Sequence, residues 1–169
     1  MHAIQDMNSL YVESIRDLYN AENQLVRALP KMEDAATDPH LKEGFRNHLH
    51  ETRNQMTRLE SICRDLGVRP GGHVCRAMDG LIRECDELID TVTEPSVLDA
   101  GLVGAAQKVE HYEISGYGTA REFARLLGYN EHIGMLQETL DEESSTDSKL
   151  TQIAENYVNR QAATTAGSR

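Results

Sequence analysis

Tryptophan is absent from the chain, phenylalanine occurs twice and proline four times in 169 residues. A sandwich or barrel fills its pleated faces with aromatic and β-branched residues, so this scarcity turns the reading towards helices. Cysteine is sparse: Cys63, Cys75 and Cys85 match no CxxC or zinc-finger spacing, which argues against a disulfide framework and fits ordinary helix residues in a reducing compartment. Basic residues are in deficit, with 17 Lys and Arg against 28 Asp and Glu and a formal charge of −11. That balance disfavours nucleic acid and anionic membrane surfaces as partners and favours cations. No apolar run reaches the roughly 18 residues of a membrane span, and Met1 to Asp6 lacks the basic and apolar segments of a secretion signal, so a cytoplasmic protein is expected.

What the chain does have is helical periodicity. Apolar residues make up 39% and charged residues 27%, ordinary values for one globular domain, taken here as residues 1–160 with a flexible tail at 161–169. A first stripe runs Tyr11, Ile15, Leu18, Glu22, Leu25, Leu29 and Met32, and Pro30 predicts a kink near its end. Asp38-Pro39 supplies an N-cap and a first helical residue for a second helix, whose seam is Leu41, Phe45, His48, Thr52, Gln55, Leu59, Ile62 and Leu66 before the stop at Gly67. Residues 67–73 read as loop, and Met78 to Ile89 as a short amphipathic helix. Ser96 and Asp99 resemble a capping box opening a helix that ends at Leu127-Gly128, and Asn130 is expected to cap a last helix fading by about Asn159. Two short turns and one long crossover predict an all-α four-helix bundle of two antiparallel hairpins, with a short fifth helix in the crossover.

Acids stand on faces that a core would fill with apolar side chains. Glu110 and Glu113 occupy the stripe Val103, Ala106, Tyr117, Ala120, Ala124, while Glu143 and Asp147 occupy the stripe Leu136, Leu140, Leu150, Ala154. Glu22 interrupts the first stripe, and Glu51 lies beside His48 and Gln55 on the second. If the stripes face one another, six carboxylates converge near mid-bundle with no Lys or Arg on the inner faces. Unpaired buried charge costs several kcal/mol, so protonation, water or metal ions must compensate; two divalent cations neutralise four charges at once. The predicted metal set is therefore Glu22, Glu51, Glu110, Glu113, Glu143 and Asp147. His48 is open to three readings: a ligand, a donor to a ligand carboxylate, or a core histidine. Tyr117, one turn after Glu113, has its hydroxyl within reach of a carboxylate or simply packs, and Gly116 and Gly118 inside the same helix suggest close approach of a neighbouring helix or a dimer contact.

Four segments carry a family resemblance: Asp17-Leu18-Tyr19-Asn20-Ala21-Glu22-Asn23-Gln24-Leu25, His48-Leu49-His50-Glu51-Thr52, Ala106-Gln107-Lys108-Val109-Glu110-His111-Tyr112-Glu113-Ile114, and Glu138-Thr139-Leu140-Asp141-Glu142-Glu143. Through them the chain resembles the stress-induced YciF-like family of the ferritin-like superfamily over about residues 6–160. The resemblance implies a ferritin-like bundle, a homodimer, and a carboxylate-rich centre where the superfamily holds two irons. It matches Glu22 to the single Glu of the first helix, Glu51 and Glu143 to the bridging Glu of the second and fourth, and Glu110 or Glu113 to that of the third. The superfamily's Glu-x-x-His is broken here, since Asn54 follows Glu51 and Thr146 follows Glu143 by three residues; Gln55 and Asp147 are the substitutes one residue later. An oxygen-rich set of that kind favours Mn, Mg or Ca relative to Fe.

The expectation is a stress-response protein with two divalent ions, Fe or Mn with Mg or Ca as further options, and a redox or oxygen- and peroxide-handling role; no turnover follows from the residues. The alternative is a metal-free helical structural or interaction protein, dimeric, whose acidic centre is a protonated or hydrated network.

Overall fold

A computed structural model describes residues 4–166 of the chain. Among them the elements are α1 (Met7–Ala35), α2 (Pro39–Asp65), α3 (Arg76–Thr91), α4 (Pro95–Leu127), α5 (Asn130–Ile153), a single π-helical stretch (Ala154–Val158) and α6 (Asn159–Ala166), with no strand. Helices α1/α2 and α4/α5 form the two hairpins, and α3 lies in the crossover against α1 and α4. The all-α bundle with a short helix in the long connection is thus observed, and no helix among the described residues is long and apolar enough to cross a membrane.

Local chemistry accounts for the helix ends, with some reassignments. Asp38 accepts from the amides of His40 and Leu41, Pro39 opens α2, and Gly128 ends α4 in the left-handed region at φ 78. Helix α1 runs through Pro30 without a break. The predicted capping box at Ser96 and Asp99 is corrected: Glu94 is the N-cap of α4, without a side-chain bond, and Asp99 turns inward. Its buried carboxylate accepts from Thr37 N at 2.7 Å, Thr37 Oγ1 at 2.5 Å and Asp38 N at 2.9 Å, so it ties the α1–α2 turn to α4. Tyr129 rather than Asn130 precedes α5 as N-cap. Helical backbone also continues past Asn159 to Ala166, where Ser96 and Thr165 share a hydroxyl–hydroxyl bond of 3.0 Å.

The core is in two parts. One apolar cluster joins Leu25, Leu29, Met32, Leu41, Phe45, Leu102, Val109 and Leu150. The other joins Tyr11, Ile15, Leu18, Leu59, Ile62, Tyr117, Ala120 and Leu136. On each of the four long helices the residues between the clusters are polar and buried: Glu22 on α1, His48, Thr52 and Gln55 on α2, Glu110 and Glu113 on α4, and Thr139, Glu143 and Thr146 on α5. A polar layer therefore crosses the middle of the bundle.

Candidate metal centre

The inward register of each helix decides which polar groups meet. On α5 the buried stripe is His132, Leu136, Thr139, Glu143, Thr146, Leu150, alternating steps of four and three. Leu140 and Asp147, expected inside, fall on the flank, and threonines take their places. On α2 the stripe is His48, Thr52, Gln55, which leaves Glu51 beside it.

Four of the expected acids converge. Glu22, Glu110, Glu113 and Glu143 are each 0% exposed, with Gln55 at 1%, His48 at 2% and Tyr117 at 0% around them. One donor atom each from His48, Glu110, Glu113 and Glu143 lie within 4.8 Å of one another. His48 Nδ1 is 3.2 Å from Glu110 Oε1, and its Nε2 is 3.8 Å from Glu143 Oε2. Tyr117 donates its hydroxyl to Glu22 Oε1, and Gln55 donates its amide to Glu143 Oε1 at 2.5 Å. Gln55 also reaches Glu142 Oε2 at 3.1 Å, which in turn accepts from Arg58 Nη1 at 2.7 Å, so the Arg58 cation acts on the layer through an amide.

Glu51 and Asp147 are not brought into this cluster. Glu51 accepts from Thr146 Oγ1 at 3.1 Å and lies 3.8 Å from Lys149 Nζ. Asp147 accepts from Gln107 Nε2 at 3.0 Å, with His111 Nε2 3.4 Å away. Both side chains retain partial exposure, 26% and 23%, so water and their neighbours already satisfy them.

The centre itself is under-satisfied. Among the described residues no hydrogen-bond partner reaches Glu22 Oε2, both oxygens of Glu110, both oxygens of Glu113 or Glu143 Oε2, nor His48 Nε2 and Gln55 Oε1. Native interiors seldom leave buried polar atoms in this state. Burial, reinforced by mutual repulsion, holds the carboxyls of Glu22, Glu110 and Glu113 well above the usual carboxylate range. Burial likewise pushes Glu143 up to about 7, with hydrogen bonds to Glu110 and from the Gln55 amide pulling against it. Burial, with help from Lys149, brings His48 down to about 4, so at neutral pH its contact with Glu110 involves a neutral imidazole rather than an ion pair. A neutral imidazole with a free ring nitrogen and four crowded carboxyls is a donor set that fits divalent metal.

The family model described as a domain of unknown function, DUF892, matches residues 6–163. The chain belongs to the DUF892 family. Protein YciF of Escherichia coli K12 is 42% identical over 163 residues, 96% of each chain. The crystal structure of that E. coli stress protein superposes at a TM-score of 0.88 with 41% identity, covering 92% of this chain and 99% of that one. YcfI of Rhodopseudomonas palustris, whose description suggests a structural role for that protein, gives a TM-score of 0.86 at 43% identity over 89% of this chain and 96% of that one. A Xanthomonas campestris protein at 20% identity and TM-score 0.76, covering 92% and 95%, shares the fold.

In this DUF892 chain the inward i, i+3 pairs are Thr52/Gln55 on α2 and Glu143/Thr146 on α5. The first pair carries no carboxylate, and a nitrogen donor comes from His48, one turn earlier. The sequence left His48 open among three roles because its seam position is common to all of them; only the assembled bundle, in which α1 and α5 hold α2 and α4 across from each other, puts Glu110 beside it. Thr52 carried no signal beyond its stripe position, and Thr146 none beyond following Glu143 by three residues, since the expected stripe ran through Asp147.

Proposed function

We propose that this DUF892 protein is a stress-family protein whose buried centre binds one or two divalent metal ions, Fe(II) or Mn(II), through His48, Glu110, Glu113 and Glu143, with Glu22 completing the set. The observation that carries the reading is the group of unpartnered carboxylate oxygens and one unpartnered imidazole nitrogen sealed in a single layer. Two divalent cations balance the four carboxylates, and the ions must displace protons held by the raised carboxyl groups as they bind. His48 as a ligand adds a nitrogen donor to the oxygen-rich set, which favours Mn and Fe over Mg and Ca. Tyr117 and Gln55 orient Glu22 and Glu143, and the apolar clusters on both sides keep bulk water out. A redox-active ion in this position would supply electron-transfer chemistry towards oxygen or peroxide.

A structural role without metal is the second reading, favoured by the raised carboxyl pKa values, which allow a protonated network to stand in for an ion. Elemental analysis of protein purified without chelator separates the two. One to two equivalents of Fe or Mn per chain, lost in the Glu110→Ala/Glu143→Ala variant, is the expected result. Metal-free wild type that takes up neither Fe(II) nor Mn(II) and gains no thermal stability from them sinks the metal reading.

A further inference from the structure

Between α2 and α5 lies a cavity of about 40 Å³ whose wall includes Gly44, His48, Glu51, Thr146, Lys149 and Ile153. It has room for about one to three waters, or for a partly dehydrated ion. Its wall is graded from solvent to interior: the Lys149 side chain is 58% exposed, Glu51 26% and His48 3%. His48 belongs both to this wall and to the acid cluster, and its Nε2 has no hydrogen-bond partner among the described residues.

Three neighbouring approaches to the centre are filled. Apolar clusters cap the layer above and below. Further along the α2–α5 seam, Arg58 bridges to Glu142 at 2.7 Å and to Glu138 at 2.6 Å, closing the Gln55 side. On the His48 side the α2–α5 seam carries, among the described residues, the looser Lys149–Glu51 contact of 3.8 Å. The π-helical stretch begins at Ala154, directly after the cavity residue Ile153. Such stretches interrupt the regular helix and recur at functional sites.

We propose that this cavity is the inlet by which a divalent cation reaches the buried centre, with Glu51 as the staging carboxylate and Lys149 as its electrostatic gate. The inference rests on the metal reading above. An arriving cation exchanges Lys149 for itself at Glu51, sheds water inside the cavity, and passes to the free nitrogen of His48 and on to Glu110 and Glu143. Glu51 thus serves passage rather than residence, which accounts for its place one step outside the acid cluster.

Co(II) uptake by the metal-stripped full-length chain, followed by stopped-flow absorption at low ionic strength, tests this. Glu51→Gln is expected to slow loading about tenfold with the final Co(II) stoichiometry unchanged, and Lys149→Gln to speed it. Gly44→Leu narrows the passage without altering charge, and is expected to slow loading too. An added Cβ there meets Ile153 Cδ1 at 3.6 Å, an ordinary contact, so the new side chain starts without a clash, and circular dichroism of the variant establishes its fold before rates are compared. Wild-type rates in both Glu51→Gln and Gly44→Leu, with a normal endpoint, overturn the inlet. A reduced endpoint in Glu51→Gln overturns the staging role by making Glu51 a resident ligand. Failure of wild type to bind Co(II) is visible in the endpoint before any rate is compared, and removes the metal reading together with the inlet.

Discussion

Glu143 accepts from Gln55 through one oxygen and leaves the other unpartnered beside His48. Its carboxyl is pushed up to about 7 in the fold against an ordinary 4.5, a difference of roughly 3–4 kcal/mol at 1.4 kcal/mol per pH unit. In metal-free protein at pH 8 the ionised form is therefore a liability. Glu143→Gln keeps the shape and the acceptor for Gln55, so it is expected to stabilise the metal-free protein by about 1–3 kcal/mol in urea unfolding at pH 8 while weakening metal binding. Destabilisation of that variant would mean that the carboxylate has a compensating cation in the apo state. The inward positions of Glu22, Glu110, Glu113 and Glu143 were legible in the sequence because each interrupts an otherwise apolar stripe. The outward positions of Glu51 and Asp147 were not, because an i, i+4 pair spans about 40° of helix and only one member faces a narrow centre squarely.

At the scale of the element, register is the quantity that sequence patterns resolve least well. On α5 the choice between Leu140 and Thr139 was made by apolarity, yet Thr139 is buried and Leu140 only partly so. The alternating four-and-three spacing through His132, Leu136 and Glu143 decided it. Asp99 was legible as a capping residue but not as the cap of a distant turn, since that needs α4 to lie against the α1–α2 connection. The paired glycines of α4 separate in the same way. A Cβ at Gly116 would meet Leu18 Cδ2 at 2.8 Å, whereas at Gly118 it would meet no described atom within 4 Å. Gly118→Ala is expected to raise stability by up to about 1 kcal/mol through helix propensity, and Gly116→Ala to show no such gain because Leu18 must move. Chemical denaturation of the two variants side by side checks this; loss of stability in Gly118→Ala would point to a contact there with a second molecule.

Across the whole molecule, the buried acids and His48 give opposing pH dependences. A carboxyl whose folded pKa is raised binds more protons in the fold than in the unfolded chain, so stability falls as pH rises from about 4.5 through the folded value. His48, lowered to about 4 from 6.5, contributes in the other direction, with stability lost as pH falls below 6.5. Above 6.5 the acids act alone. Metal-free protein is therefore expected to lose at least about 1 kcal/mol between pH 6.5 and 8.5, and the stabilisation by Mn(II) to grow over the same interval as binding releases fewer protons. Urea midpoints with chelator and with Mn(II) at the two pH values measure both; a metal-free protein equally stable at the two would indicate that the layer is already neutralised.

The two apolar clusters are interchangeable in character, and aliphatic seams of this kind can slide past one another by a helical turn with little loss of contact. The acid layer removes that freedom. Displacing α1 by one turn, about 5.4 Å, would carry Glu22 to the level of Leu18 or Leu25, into hydrocarbon and away from the Tyr117 hydroxyl, at several kcal/mol. The same holds for each of the other three helices. The polar layer thus works as an alignment pin for the axial stagger of all four helices, even before anything is bound in it.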